Sequence, residues 1–147
     1  IRLKLVGFKR SDPLPTLMRR YYTLDKRRAM LLKVMKAAAE PMRSAMEQGA
    51  PVDKGTLKRS FRIRNSKKKT SFKELAIYVG GVNGNYVSGG EKKRLAGWRS
   101  HWAELGTVHH AGAFFIQPAI RRNIPVYQRL LREGLRNLLR NVRSGTA

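Results

Sequence analysis

The sequence predicts an α+β domain: two helices covering one face of a small, mainly antiparallel sheet. Three patterns carry that prediction. The chain opens with a period-two strand, it contains two long stretches with apolar residues every three or four positions, and between them lie two short β-rich runs flanking a basic tip. At 147 residues the chain reads as a single domain over positions 1–147, long enough to bury a core.

The elements follow in order. Ile1, Leu3 and Leu5 alternate with Arg2 and Lys4, which gives a short strand with one basic face. The prolines in residues 11–15 break the chain and suit a helix start. Residues 16–48 are helical in pattern, with Leu31, Leu32, Met35, Ala38, Ala39, Met42 and Met46 on one stripe. The methionines in that stripe read as helix-packing core. Pro41 is expected to kink this helix near Glu40, and Gly49 followed by Pro51 to cap and stop it. Phe61 and Ile63 oppose Arg62 and Arg64 on a strand, residues 65–73 form a basic loop, and residues 74–81 form the strand that pairs back. Residues 82–100 are glycine-rich and charged, and read as a long basic loop, mobile or ordered by a partner. A short strand or edge segment is expected around 102–105. From Pro118 a final helix carries Ile120, Ile124, Tyr127, Leu131, Leu135, Leu138 and Val142, with Pro125 kinking or restarting it and Gly134 weakening it.

Composition restricts the function. A net charge of +23, from 32 Lys and Arg against 9 Asp and Glu, repels itself and attracts polyanions. The basic clusters are Lys67, Lys68 and Lys69, then Lys92, Lys93 and Arg94, then the arginines of the last helix. Two partners fit them: double-stranded DNA, touched through its phosphates without sequence reading, or an acidic face of a neighbouring protein. Tyr86, Trp98 and Trp102 near the middle cluster suit base stacking, or a place in the core or as interface anchors. No apolar run is long enough to span a bilayer, no secretion signal is expected, and no membrane partner is implied. The absence of cysteine excludes disulfides and thiolate metal sites.

Residues 101–120 hold all three histidines and Glu104. Adjacent His109 and His110 on an extended segment point to opposite faces, HExxH is absent, and no nucleophile or second acid stands at recognisable spacing from Glu104. The sequence therefore indicates no metal, no cofactor and no enzyme. Glu104 is expected to pair with the surplus arginines of its own or a neighbouring subunit. Gly106 permits a positive φ, Phe115 and Ile116 can plug the core between sheet and last helix, and Pro118 suits that helix's first turn.

Pro51, Gly55, Leu57 and Ser60, then Glu104, Leu105, Gly106 and Thr107, then Ala113, Phe114, Phe115, Gln117, Pro118 and Ala119 form an ordered set. That set resembles the neck or tail-completion family of long-tailed double-stranded DNA bacteriophages, over about residues 39–124. The chain departs from the family pattern at Ala113, Phe114 and Gln117. The resemblance implies a virion structural protein at the head–tail joint, made in the host cytoplasm. It would be a homo-oligomeric ring, with six subunits favoured over twelve, around the DNA passage and between head connector and tail, with no catalytic residue and no cofactor. The alternative is a sequence-nonspecific nucleic-acid-binding module, which the charge suits but no helix-turn-helix, zinc-finger or RNP signature supports.

Overall fold

A computed structural model describes residues 1–6, 18, 22–51, 56–65, 74–88 and 90–144. The order is β1 (Arg2–Val6), α1 (Leu24–Gly49), a 3-10 turn (Lys58–Ser60), β2 (Phe61–Asn65), β3 (Glu74–Gly81), β4 (Asn83–Ser88), β5 (Glu91–Ala96), a second 3-10 turn (Gly97–Arg99), α2 (Ser100–Leu105), β6 (Gly106–Thr107), β7 (His110–Ala111) and α3 (Ile116–Ser144). This is the α+β arrangement the periodicity predicts.

β3 is the centre of a three-stranded antiparallel sheet in the order β1-β3-β2. Its residues Leu75, Ile77 and Val79 point inward and Tyr78 outward, and the register pairs Leu3 with Ile77 and Ile63 with Val79. On the outer face Arg2 and Arg64 both pair with Tyr78, and the Arg2 guanidinium carbon lies 5.9 Å from the Tyr78 ring centroid. Phe61 and Ile63 face the core while Arg62 and Arg64 face out, as alternation requires.

α1 begins at Thr23, whose side-chain oxygen accepts from the Lys26 amide at 3.4 Å, with Asp25 in the first turn where the helix dipole favours an acid. The helix start predicted at residues 11–15 lies outside the described residues. The α1 stripe is buried as expected, with Met35, Ala39, Met42 and Met46 fully enclosed. Pro41 is accommodated within the helix. Gly49 is the last helical residue and not a left-handed cap; the cap is Ala50 in an extended conformation. Glycine stands at 49 for space: a Cβ there would lie 3.1 Å from the Cβ of Phe115.

α3 is one helix through Pro125. Gly134, expected to weaken it, is instead where α3 touches α1: a Cβ at 134 would stand 2.6 Å from a methyl of Val34. Tyr127, Leu138 and Val142 are buried in the same core as the α1 stripe, whereas Ile124 is 39% exposed. Phe115, just before α3, is buried and meets Phe61 edge-on at 5.9 Å between centroids. The first residue of β2, the end of α1 and the start of α3 therefore converge on one ring.

Two further expectations fail. Residues 82–100 are not a loop: β4 and β5 form an antiparallel hairpin, with Ser88 opposite Glu91 and Gly90 at φ +80°. Two residues between paired strands, one in the left-handed region, is the connection whose twist matches a hairpin. The segment 102–105 is helical and belongs to α2. Six residues are too few for a 3.6-residue period to show in sequence.

Phe115→Ala should lower the free energy of urea unfolding by about 3–5 kcal/mol, because the three elements around the ring cannot collapse onto the vacancy. The Tyr127 hydroxyl is buried with no hydrogen-bond partner among the described residues, and that burial raises its pKa. Tyr127→Phe should therefore leave the unfolding midpoint unchanged or raise it.

Candidate interaction surface

Glu104 is buried, and among the described residues no arginine pairs with it. One carboxylate oxygen accepts the Ile116 amide at 2.6 Å and the other the Gln117 amide at 2.9 Å. These are donors that the first turn of α3 cannot satisfy within the helix. Glu104 is thus the N-terminal cap of a helix that starts twelve residues later in the chain. The predicted arginine pairing is corrected: backbone amides are the partners, because α2 delivers the side chain to the helix end and keeps it from the surface. Main-chain bonds brace the same junction, from Ala113 N to Ala103 O at 2.8 Å and from Phe114 N to Glu104 O at 3.1 Å. The braces need close backbone approach, and a Cβ on Gly112 would fall 2.4 Å from the Glu104 carbonyl oxygen. Gly106 ends α2 at φ +86°, as the sequence requires, with its amide donating to Trp102 O.

The other positions singled out from sequence fall into three groups. Leu57 and Ala119 are buried, and Phe115 with them. Pro51, Thr107 and Pro118 are exposed, with Pro118 in the first turn of α3 where a missing amide costs nothing. Gly55, Lys67, Lys68 and Lys69 lie outside the described residues. Ser60 is fully enclosed, its hydroxyl donating to Leu57 O at 2.6 Å.

Lys92, Lys93 and Arg94 are consecutive on β5 and all exposed. Neighbours on a strand face opposite sides, so the outer part of this hairpin is wet on both faces. Its base is fixed. The Trp98 amide donates to Asn83 Oδ1 at 2.8 Å, and Gly97 packs so tightly that a Cβ there would stand 2.4 Å from the Val82 backbone. Leu95 and Ala96 are buried.

Beyond this base comes an apolar surface that sequence reasoning found only at its two tryptophans, Trp98 and Trp102. Trp98 and Trp102 meet edge-on at 4.8 Å, each nearly half exposed. The Arg99 guanidinium carbon lies 4.9 Å from the Trp98 ring centroid and the His101 ring 5.2 Å from that of Trp102. Leu105, Val108 and Phe114 follow, exposed by 68%, 97% and 59%. Phe114 holds φ 45°, a left-handed conformation uncommon for a side chain of that size. Five large apolar side chains within residues 98–114 thus stand on a rigidly braced segment and lack cover among the described residues. His109 is exposed, its amide donating to Thr107 Oγ1. No three possible metal ligands converge among the described residues.

A family model described as "Bacteriophage HK97-gp10, putative tail-component" matches residues 23–106. That stretch runs from the N-cap of α1 through both β-hairpins to the end of α2. No curated protein and no solved structure matches the chain.

Glu104→Ala would strand two α3 amides and should reduce unfolding free energy by about 1–3 kcal/mol. Glu104→Gln keeps the shape and one acceptor, so its loss in the same denaturant titration should be smaller. Equal losses would mean that the acceptor pair does not hold the helix.

Proposed function

This chain belongs to the HK97-gp10-like bacteriophage tail-component family, and on that premise we propose that it is a ring-forming structural subunit of the head–tail joint. It would act mechanically in the virion, between head connector and tail and around the DNA passage, with no catalytic step. The observation that carries the reading is the uncovered apolar segment 98–114, held by Glu104 and the Gly97 and Gly112 contacts in a form ready to be covered. Exposed tryptophans on a braced frame are what a protein interface uses as anchors.

A closed ring joins subunits head to tail, through two different patches on each. The molecule offers such a pair at its sheet: β1 and β2 flank β3, and no further strand pairs with either outer edge among the described residues. An open edge invites pairing with a neighbour or cover by it. The β4–β5 hairpin, basic on both faces and fixed at its base, suits docking on an adjoining ring.

Native mass spectrometry and light scattering on the full chain, at low and physiological salt, test this. A discrete closed species is expected, six subunits before twelve. Replacing Trp98 and Trp102 by Ser should cut the assembled fraction while leaving the circular dichroism spectrum unchanged. A monomer under all conditions that binds DNA tightly would instead favour the nucleic-acid-binding module.

A further inference from the structure

α3 carries seven arginines, at 121, 122, 129, 132, 136, 140 and 143, and no lysine. At about 100° per residue all seven fall within an arc of about 100°, over about 33 Å of helix. All are exposed, and no acidic side chain pairs with any of them among the described residues. Glu133, the only acid on α3, sits just outside the arc. Tyr127, Leu138 and Val142 bury the opposite side, and Gly134 sets it against Val34, so the arginine row is held outward on a seated helix. We propose that this face binds the phosphate backbone of double-stranded DNA without reading its sequence.

Three features favour phosphate over an acidic protein. The row is wholly arginine, whose planar fork pairs with phosphate oxygens by two bonds at once. It has no anchor of the kind a protein interface centres on: the only exposed large apolar side chain on α3 among the described residues is Ile124, which lies well outside the arc. A straight row with one charge per about 5 Å matches a polyanion of continuous charge better than a few discrete carboxylates. α3 also lies outside the family-matched residues 23–106, so this face belongs to the part of the chain that the family model leaves unmatched. The inference takes its setting, DNA in a tail joint, from the proposed function, but its chemistry rests on α3 alone.

The test is binding of the full chain to a mixed-sequence duplex of about 30 base pairs, by fluorescence anisotropy between about 50 and 200 mM salt. Wild-type affinity should fall roughly a thousandfold or more over that range if about six phosphates are neutralised. Changing Arg129, Arg132, Arg136 and Arg140 together to Gln should make the log–log salt slope shallower by about 3, leaving a fall of under about a hundredfold. Changing the same four to Lys should keep the slope, which separates charge from any loss of structure. Lys92→Gln with Lys93→Gln and Arg94→Gln should leave the slope near wild type. A wild-type slope in the α3 Gln variant, or a loss that follows the hairpin variant, overturns the proposal. Equal binding of a polyglutamate of matched charge overturns the assignment to DNA in favour of an acidic protein. Light scattering on the same samples separates the two readings. A monomer that binds DNA through α3 keeps this inference and sinks the ring. A ring whose α3 Gln variant binds as wild type does the reverse.

Discussion

The contact between the Glu104 carboxylate and the first amides of α3 is the constraint around which the C-terminal half is organised. The first turn of α3 has no acidic residue of its own, and Arg121 and Arg122 follow close behind it. Cations near a helix N-terminus oppose the dipole, and an acid there offsets them. Glu104 supplies that acid from another element. In a chain of net charge +23 the obvious fate of a carboxylate is an exposed pair with arginine, but such pairs contribute little in water. Two fixed backbone donors away from solvent orient the group at no entropic cost to a partner side chain. The same contact sets where α3 starts, and so where Phe115 meets Phe61 and where the arginine row points.

Around this contact the backbone is packed more closely than side chains would allow. Gly97 lies against Val82 and Gly112 against the end of α2, while farther along α3 Gly134 lies against the Val34 side chain. None of these three holds a left-handed conformation; each is small because another segment passes through the space of its missing Cβ. The result is a stiff frame from the hairpin base to the start of α3. That stiffness lets the Trp98–Trp102 pair, Val108 and Phe114 stay exposed without collapsing into the core.

Much of this was legible in the sequence where the signal was local and periodic. The α1 stripe, the alternation of Phe61 and Ile63 with Arg62 and Arg64, the turn glycine at 106 and the core role of Phe115 all appear as predicted. The hairpin of β4 and β5 was also written locally, in the two glycines between Ser88 and Glu91, but the length and charge of the segment outweighed that sign. α2 is too short to declare a period. The role of Glu104 was not legible at all, because its partners are amides, which leave no trace in residue identity. Gly134 reads as a weak point in a helix until Val34, a hundred residues earlier, is placed beside it.

The basic surface and the small core are one design problem. Arginines three and four apart on α3 repel each other, and an isolated helix of that composition would fray. What holds it helical is burial of Tyr127, Leu138 and Val142 against the α1 stripe and the cap supplied by Glu104. The charged row therefore borrows its straightness from apolar contacts on the other side of the same helix. A looser core would leave the charge unchanged and scatter its geometry. The geometry of the arginine row is held by residues buried on the other side, so the surface chemistry of α3 is in physical terms a product of the interior.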